Sequence, residues 1–187
     1  MKNPYLYGYL PFITVILLSL TFGVYTVSQS MDLFHAIGVY SGMREFLSDF
    51  ELRLFLLILL ALLFFMFFSA LKLIGETIHE LGMLFFSKDK EGQAINVARG
   101  GYVIFFFGAL ATIAGMQSFF ILTGILAITI FIYFIFTIYK MSHYMSISGV
   151  IGLIVFEIIV WAVFFAAVLY VVVTLYNSLL ASLPFAN

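Results

Sequence analysis

Residues Ser148–Val173 read SGVIGLIVFEIIVWAVFFAAVLYVVV, an apolar run with a single ionisable residue, Glu157, inside it. A stretch this long and this poor in charge reaches across the roughly 30 Å hydrocarbon core of a bilayer as one helix. A carboxylate at the centre of such a helix costs about 2.5–3.5 kcal/mol on insertion scales. The rest of the chain must therefore supply something that answers Glu157. The other apolar runs are read as the helices that surround it.

Composition excludes a water-soluble domain. Hydrophobic residues make up 65% of the chain and charged residues 9%, against about 45–50% and about 25% in soluble domains. So little charge cannot cover a surface facing water. The chain has no cysteine, which removes disulfides and thiolate metal sites. Its formal net charge of -1 offers no field for nucleic acid.

Four more spans come from the remaining runs. Span one is expected over 9–26, behind Tyr5, Tyr7 and Tyr9, which suit an interfacial aromatic belt. Its apolar run, Phe12–Val27, exceeds a signal peptide's core of about 7–15 residues, so an uncleaved span is expected. Span two covers 54–71, span three 101–117, span four 120–139 and span five 148–173. The expected fold is thus an all-α, polytopic transmembrane bundle forming one domain over 1–187. Spans three and four form a tight hairpin.

Two segments read as amphipathic. In 31–51, Leu33, Phe34, Ile37, Tyr40, Met43 and Phe46 recur every three to four residues, with Asp32, His35, Arg44 and Glu45 between them. This predicts an outer interfacial helix, broken near Gly38 and Gly42. Beyond span two the helical pattern continues as KLIGETIHELGMLFFS, the start of an extension and loop over 72–100. Ile74, Ile78, Leu81 and Phe85 are expected on its packed face, and Lys72, Glu76, His79, Glu80 and Met83 on its wet face. Tyr176–Asn187 reads as an uncharged interfacial tail.

Basic residues in short loops set the orientation. Lys2, Lys72, Lys88, Lys90, Arg99 and Lys140 fall on one side of a five-span chain, and Arg44 and Arg53 on the other. The first side is expected in the cytoplasm, with the N-terminus inside and the C-terminus outside.

The phrases YGYLPF, FFMFFSALKLI, LFFSKDKEG and YNSLLASLP are similar to those of the YufK family of small integral membrane proteins of Bacillus-like bacteria. The resemblance covers nearly the whole chain. It implies a bacterial plasma membrane and carries no catalytic signature or site residue.

Two constellations could carry chemistry. Glu157 is the candidate intramembrane proton or cation site, expected near mid-bilayer. Burial there favours its neutral form, bonded to a hydroxyl. The hydroxyls expected at its depth are Ser19, Thr112, Thr129 and Tyr133. Its plainer role is a polar contact that fixes helix register. The second constellation is Glu76, His79 and Glu80, in which Glu76 and His79 share the E-x-x-H spacing of di-iron bundles. Met83 stands where H-E-x-x-H would need its second histidine, spans one, three and four supply no further carboxylate, and the plainer role is the wet face of an amphipathic helix, with Lys72 and Glu76 at i, i+4.

No cofactor, catalytic residue or nucleic-acid partner is expected. The function expected first is a non-catalytic assembly or accessory role in the bilayer, as a homo-oligomer or with a membrane partner. The alternative is a small proton- or cation-linked transporter or channel using Glu157. Several polar groups facing Glu157 across a cavity would favour the transporter. A single hydrogen bond in dry packing would favour assembly.

Overall fold

A computed structural model describes residues 4–89 and 92–182. Helices are the only regular elements among these residues: α1 (Pro4–Ala36), α2 (Val39–Met43), α3 (Asp49–Phe86), α4 (Gln93–Ala98), α5 (Tyr102–Thr112), α6 (Phe119–Ser142) and α7 (Ile147–Ser182). One 3-10 turn, Arg99–Gly101, joins α4 to α5, and another, Ile113–Gly115, follows α5. Five segments are long and apolar enough to cross a membrane: Gly8–Ala36, Asp49–Phe86, Gln93–Gly115, Phe119–Ser142 and Ile147–Ser178. The third includes Gln93–Ala98, ahead of the 101–117 expected for span three.

The interfacial segment 31–51 is not one element. Met31–Ala36 continues α1, Val39–Met43 is the single short turn of α2, and Asp49 already opens α3. Gly38 makes the break with φ 76°, a left-handed conformation that glycine adopts without steric cost. Ser48 then starts α3 with a capping box. Its hydroxyl accepts from the Glu51 N–H at 3.3 Å, and the Glu51 carboxylate accepts from the Ser48 N–H at 2.8 Å.

Span two and its expected extension form one unbroken helix, α3. At 1.5 Å per residue its 38 residues reach about 57 Å, well beyond a bilayer core. Its first half lies antiparallel to α1. Val27 and Met31 pack on Leu52 and Leu56 at one end, and Phe22 meets Phe68 edge-on at 5.2 Å nearer the middle. Val15, Leu18, Ala109 and Leu122 join Phe22 and Phe68 in a central core drawn from α1, α3, α5 and α6.

The second half of α3 packs on α7, and glycines set the distance. A Cβ added at Gly82 would sit 2.3 Å from Leu153 Cδ1, and one at Gly152 would sit 2.6 Å from the Phe86 ring. Gly149 lies against the Phe86 carbonyl in the same way. Met83, Leu153, Met141, Ile138, Ala94 and Ala98 complete a third core at this end. The packed face of the extension is therefore Ile78, His79, Gly82 and Met83. Ile78 is buried as expected, but Leu81 and Phe85 are exposed. Helical spacing alone gives an apolar stripe. The small residues needed for close approach lie about 100° round the helix from it.

Beyond Phe165, α7 leaves the bundle, and Ala166–Ser178 is exposed throughout. The expected tail continues this helix through Ser182, and the remainder, 183–187, lies outside the described residues. So do Lys2 and Lys90, two of the basic residues counted for orientation.

Candidate proton site and cavity

His79 is carried by α3 on the same face as Gly75 and Gly82, and each glycine is one turn away. Glycine at these positions brings α7 close: Gly82 receives Leu153, and a Cβ at Gly75 would lie 3.5 Å from Trp161 Cζ2. Leu153, Glu157 and Trp161 are successive i, i+4 positions on α7, so Glu157 comes level with His79 between two glycine contacts. The result is a hydrogen bond of 2.6 Å between His79 Nδ1 and Glu157 Oε1. One proton lies between them. Either Nδ1–H donates to a carboxylate, or a carboxylic O–H donates to bare Nδ1.

This corrects the expected partners of Glu157. Ser19 donates to the Val15 carbonyl at 2.5 Å, Thr112 to Ala109 at 2.6 Å and Thr129 to Ile125 at 2.8 Å. A helical hydroxyl reaches a carbonyl one turn back more easily than a side chain on another helix. Tyr133 does enter the site, but through His79, with ring centroids 6.0 Å apart. Gly101 makes room for it, since a Cβ there would meet the Tyr133 ring at 2.7 Å. Glu157 Oε2 is buried with no hydrogen-bond partner among the described residues.

The three residues of ETIHE do not converge. His79 turns to Glu157, Glu76 turns to Lys72 and Tyr102, and Glu80 is exposed. Among the described residues no group of three His, Asp or Glu side chains is placed to hold a metal ion. On α3, Glu76 and His79 are about 60° apart round the axis, and each finds a closer partner on another helix or along its own.

A second polar group stands beside the first. Both Glu76 oxygens lie 2.8 Å from Lys72 Nζ, and Tyr102 O–H donates to Glu76 Oε1 at 2.5 Å. Exposure falls steadily along this series, from 36% at the Lys72 side chain to 30% at Glu76, 16% at His79 and 0% at Glu157. The ionisable groups thus lead from an open surface to a closed interior.

Lys72, Glu76, His79, Tyr102 and Tyr133 line one end of a cavity of about 310 Å³ enclosed by α1, α3, α5, α6 and α7. Thr14 aside, its remaining wall is apolar and aromatic, including Leu18, Phe68, Phe105, Leu126 and Trp161. A second recess of about 620 Å³ adjoins it, sharing Pro11, Val15, Lys72, Glu76 and Tyr102 and adding Ser69 and Arg99.

Lys72 and His79, expected on a wet face, stand at the cavity, and Tyr102 and Arg99 join them from outside α3. For His79 a signal is present in the spacing of Gly75, His79 and Gly82, because glycines one turn either side of a polar residue mark a helix face that another helix approaches closely.

The Bacillus subtilis protein described as "Uncharacterized membrane protein YufK" is 36% identical to this chain over 184 residues, which is 98% of the chain and 100% of that protein. No solved structure matches. Residues 27–184 match the model of a family described as "Family of unknown function (DUF5366)". They include the α3–α7 face and the His79–Glu157 pair, and the chain belongs to that family of membrane proteins.

Proposed function

We propose that this protein is a small carrier of the bacterial plasma membrane in which the His79–Glu157 pair takes up and releases a proton next to a ligand cavity. The observation that carries this reading is the graded series Lys72, Glu76, His79 and Glu157, running from a surface recess past a cavity to a fully buried carboxyl. A proton relay needs several titrating groups in sequence. A register-fixing contact in dry packing would need neither the cavity nor the second polar group. The activity is binding and translocation, without a covalent step. The Ser87 side of the bundle faces the cytoplasm, as the excess of basic residues there favours.

A second reading, assembly with another copy or a membrane partner, is favoured by the exposed apolar half of α7. Both roles fit one protein, since a carrier can work as an oligomer.

The test is proton movement in vesicles that enclose a pH-sensitive dye. Wild-type protein should dissipate an imposed pH gradient faster than protein-free vesicles. Glu157→Gln, which keeps the shape and the hydrogen bonding of a neutral carboxyl, should abolish this while leaving thermal stability nearly unchanged. Wild-type rates equal to those of protein-free vesicles would remove the carrier reading and leave assembly.

A further inference from the structure

We propose that the cavity and its adjoining recess bind a single-chain anionic amphiphile, an acyl chain ending in a carboxylate or phosphate. The head would lie between Lys72 and Arg99 and the chain against Trp161. This names the ligand class of the proposed carrier and rests on reading the cavity as its binding site.

The division of chemistry between the two spaces supports it. Apart from Thr14, whose hydroxyl donates to the Leu10 carbonyl, the inner cavity is walled by aliphatic and aromatic side chains except where Lys72, Glu76 and His79 stand. The outer recess carries the charged groups Lys72, Glu76 and Arg99, with the hydroxyls of Ser69 and Tyr102. A ligand filling both must be apolar along most of its length and polar at one end. The recess selects the sign of that end. Glu76 already accepts from Lys72 and Tyr102, whereas Lys72 keeps a third ammonium hydrogen. Arg99 is exposed and forms no ion pair among the described residues. Two cations against one engaged carboxylate leave the recess net positive. Guanidinium and ammonium groups together suit a carboxylate or phosphate.

Trp161, the one tryptophan of the chain, lines the cavity and serves as the reporter. In nanodiscs of zwitterionic phospholipid, ω-bromododecanoate should quench Trp161 saturably and be displaced by dodecanoate and by dodecyl phosphate. Inorganic phosphate should not displace it, which separates an amphiphile from a free anion. Bromododecyltrimethylammonium should quench only in proportion to its amount in the bilayer. Arg99→Gln, a change at an exposed position, should weaken bromododecanoate binding about tenfold or more. Leu126→Phe, which adds volume at a packed position of the cavity wall, should weaken it without touching a charge. Quenching that never saturates, that is equal for the cationic analogue, or that ignores both substitutions would overturn the proposal. Saturable, Arg99-dependent quenching by a protein that moves no protons would keep it while removing the carrier reading. Proton movement without such quenching would do the reverse.

Discussion

His79 Nδ1 and Glu157 Oε1 meet at 2.6 Å across 78 positions of sequence, and this pair ties α3 to α7 where the two helices touch most closely. Glu157 is fully buried and His79 nearly so. Removing one partner leaves the other desolvated without its hydrogen bond, whereas removing both leaves only a packing change. His79→Ala should therefore destabilise the protein by about 1–3 kcal/mol. His79→Ala combined with Glu157→Leu should cost less than the sum of the single changes. Thermal unfolding of the four proteins in one detergent, read as a double-mutant cycle, checks this. Additive costs would mean the pair is uncoupled.

Glycine contacts should divide into two classes. A Cβ at Gly108 would sit 2.2 Å from Thr129 Cγ2, and one at Gly82 would meet the fully buried Leu153, while one at Gly124 would meet no described residue within 4 Å beyond its own stretch of helix. Gly82→Ala and Gly108→Ala should each destabilise by about 1–3 kcal/mol through overpacking. Gly124→Ala, inside α6, should be neutral or slightly stabilising. Equal losses at all three positions in an unfolding series would contradict the α3–α7 and α5–α6 packing.

The packed face of α3 makes a similar contrast. Ile78 is 4% exposed and Leu81 41%. Ile78→Asp should lower folded yield sharply, Leu81→Ala should do little, and Glu80→Ala should do least. Monodispersity on size-exclusion chromatography reads all three. Losses from Leu81→Ala matching those from Ile78→Asp would restore the face inferred from periodicity.

Tyr40 links the short α2 turn to α3 by donating to Asp49 Oδ1 at 2.7 Å. That hydrogen bond, ahead of burial and the charge of Asp49, raises the Tyr40 phenol above its ordinary value of 10.0. The sign follows from linkage. A raised folded value gives stability that is complete below the unfolded value and is lost as pH rises through the folded one. The α2–α3 contact should therefore hold below about pH 10 and loosen above it, and Tyr40→Phe should remove that step. Hydrogen exchange of residues 39–48 across this range measures it. A step that persists in Tyr40→Phe would assign it to another group.

Orientation is tested with single cysteines, since the chain has none of its own. An impermeant thiol reagent on intact cells should label Ser48→Cys and spare Ser87→Cys until the cells are opened. The reverse pattern would invert the topology.

Sequence alone determined the class of this protein, because class depends on sums and periods. Five apolar runs with 9% charged residues permit little besides a helical membrane bundle. Gly38 marked the break in 31–51 because a left-handed turn leaves few residue types to choose from. Glu157 stood out because it is the one ionisable group in its run. Its partner did not, because that depends on rotation and register. Periodicity put Ile78 on the buried side but chose the wrong neighbours for it, since a stripe of larger apolar residues looks like the packed face of a helix. In a bilayer that stripe can face lipid at no cost, and the close contact goes to glycines instead. Only the antiparallel docking of α3 on α7, at the distance Gly82, Gly149 and Gly152 allow, brought His79 to Glu157. The packing of α5 against α1 and α6 brought Tyr102 to Glu76, and with Lys72 they stand around one cavity.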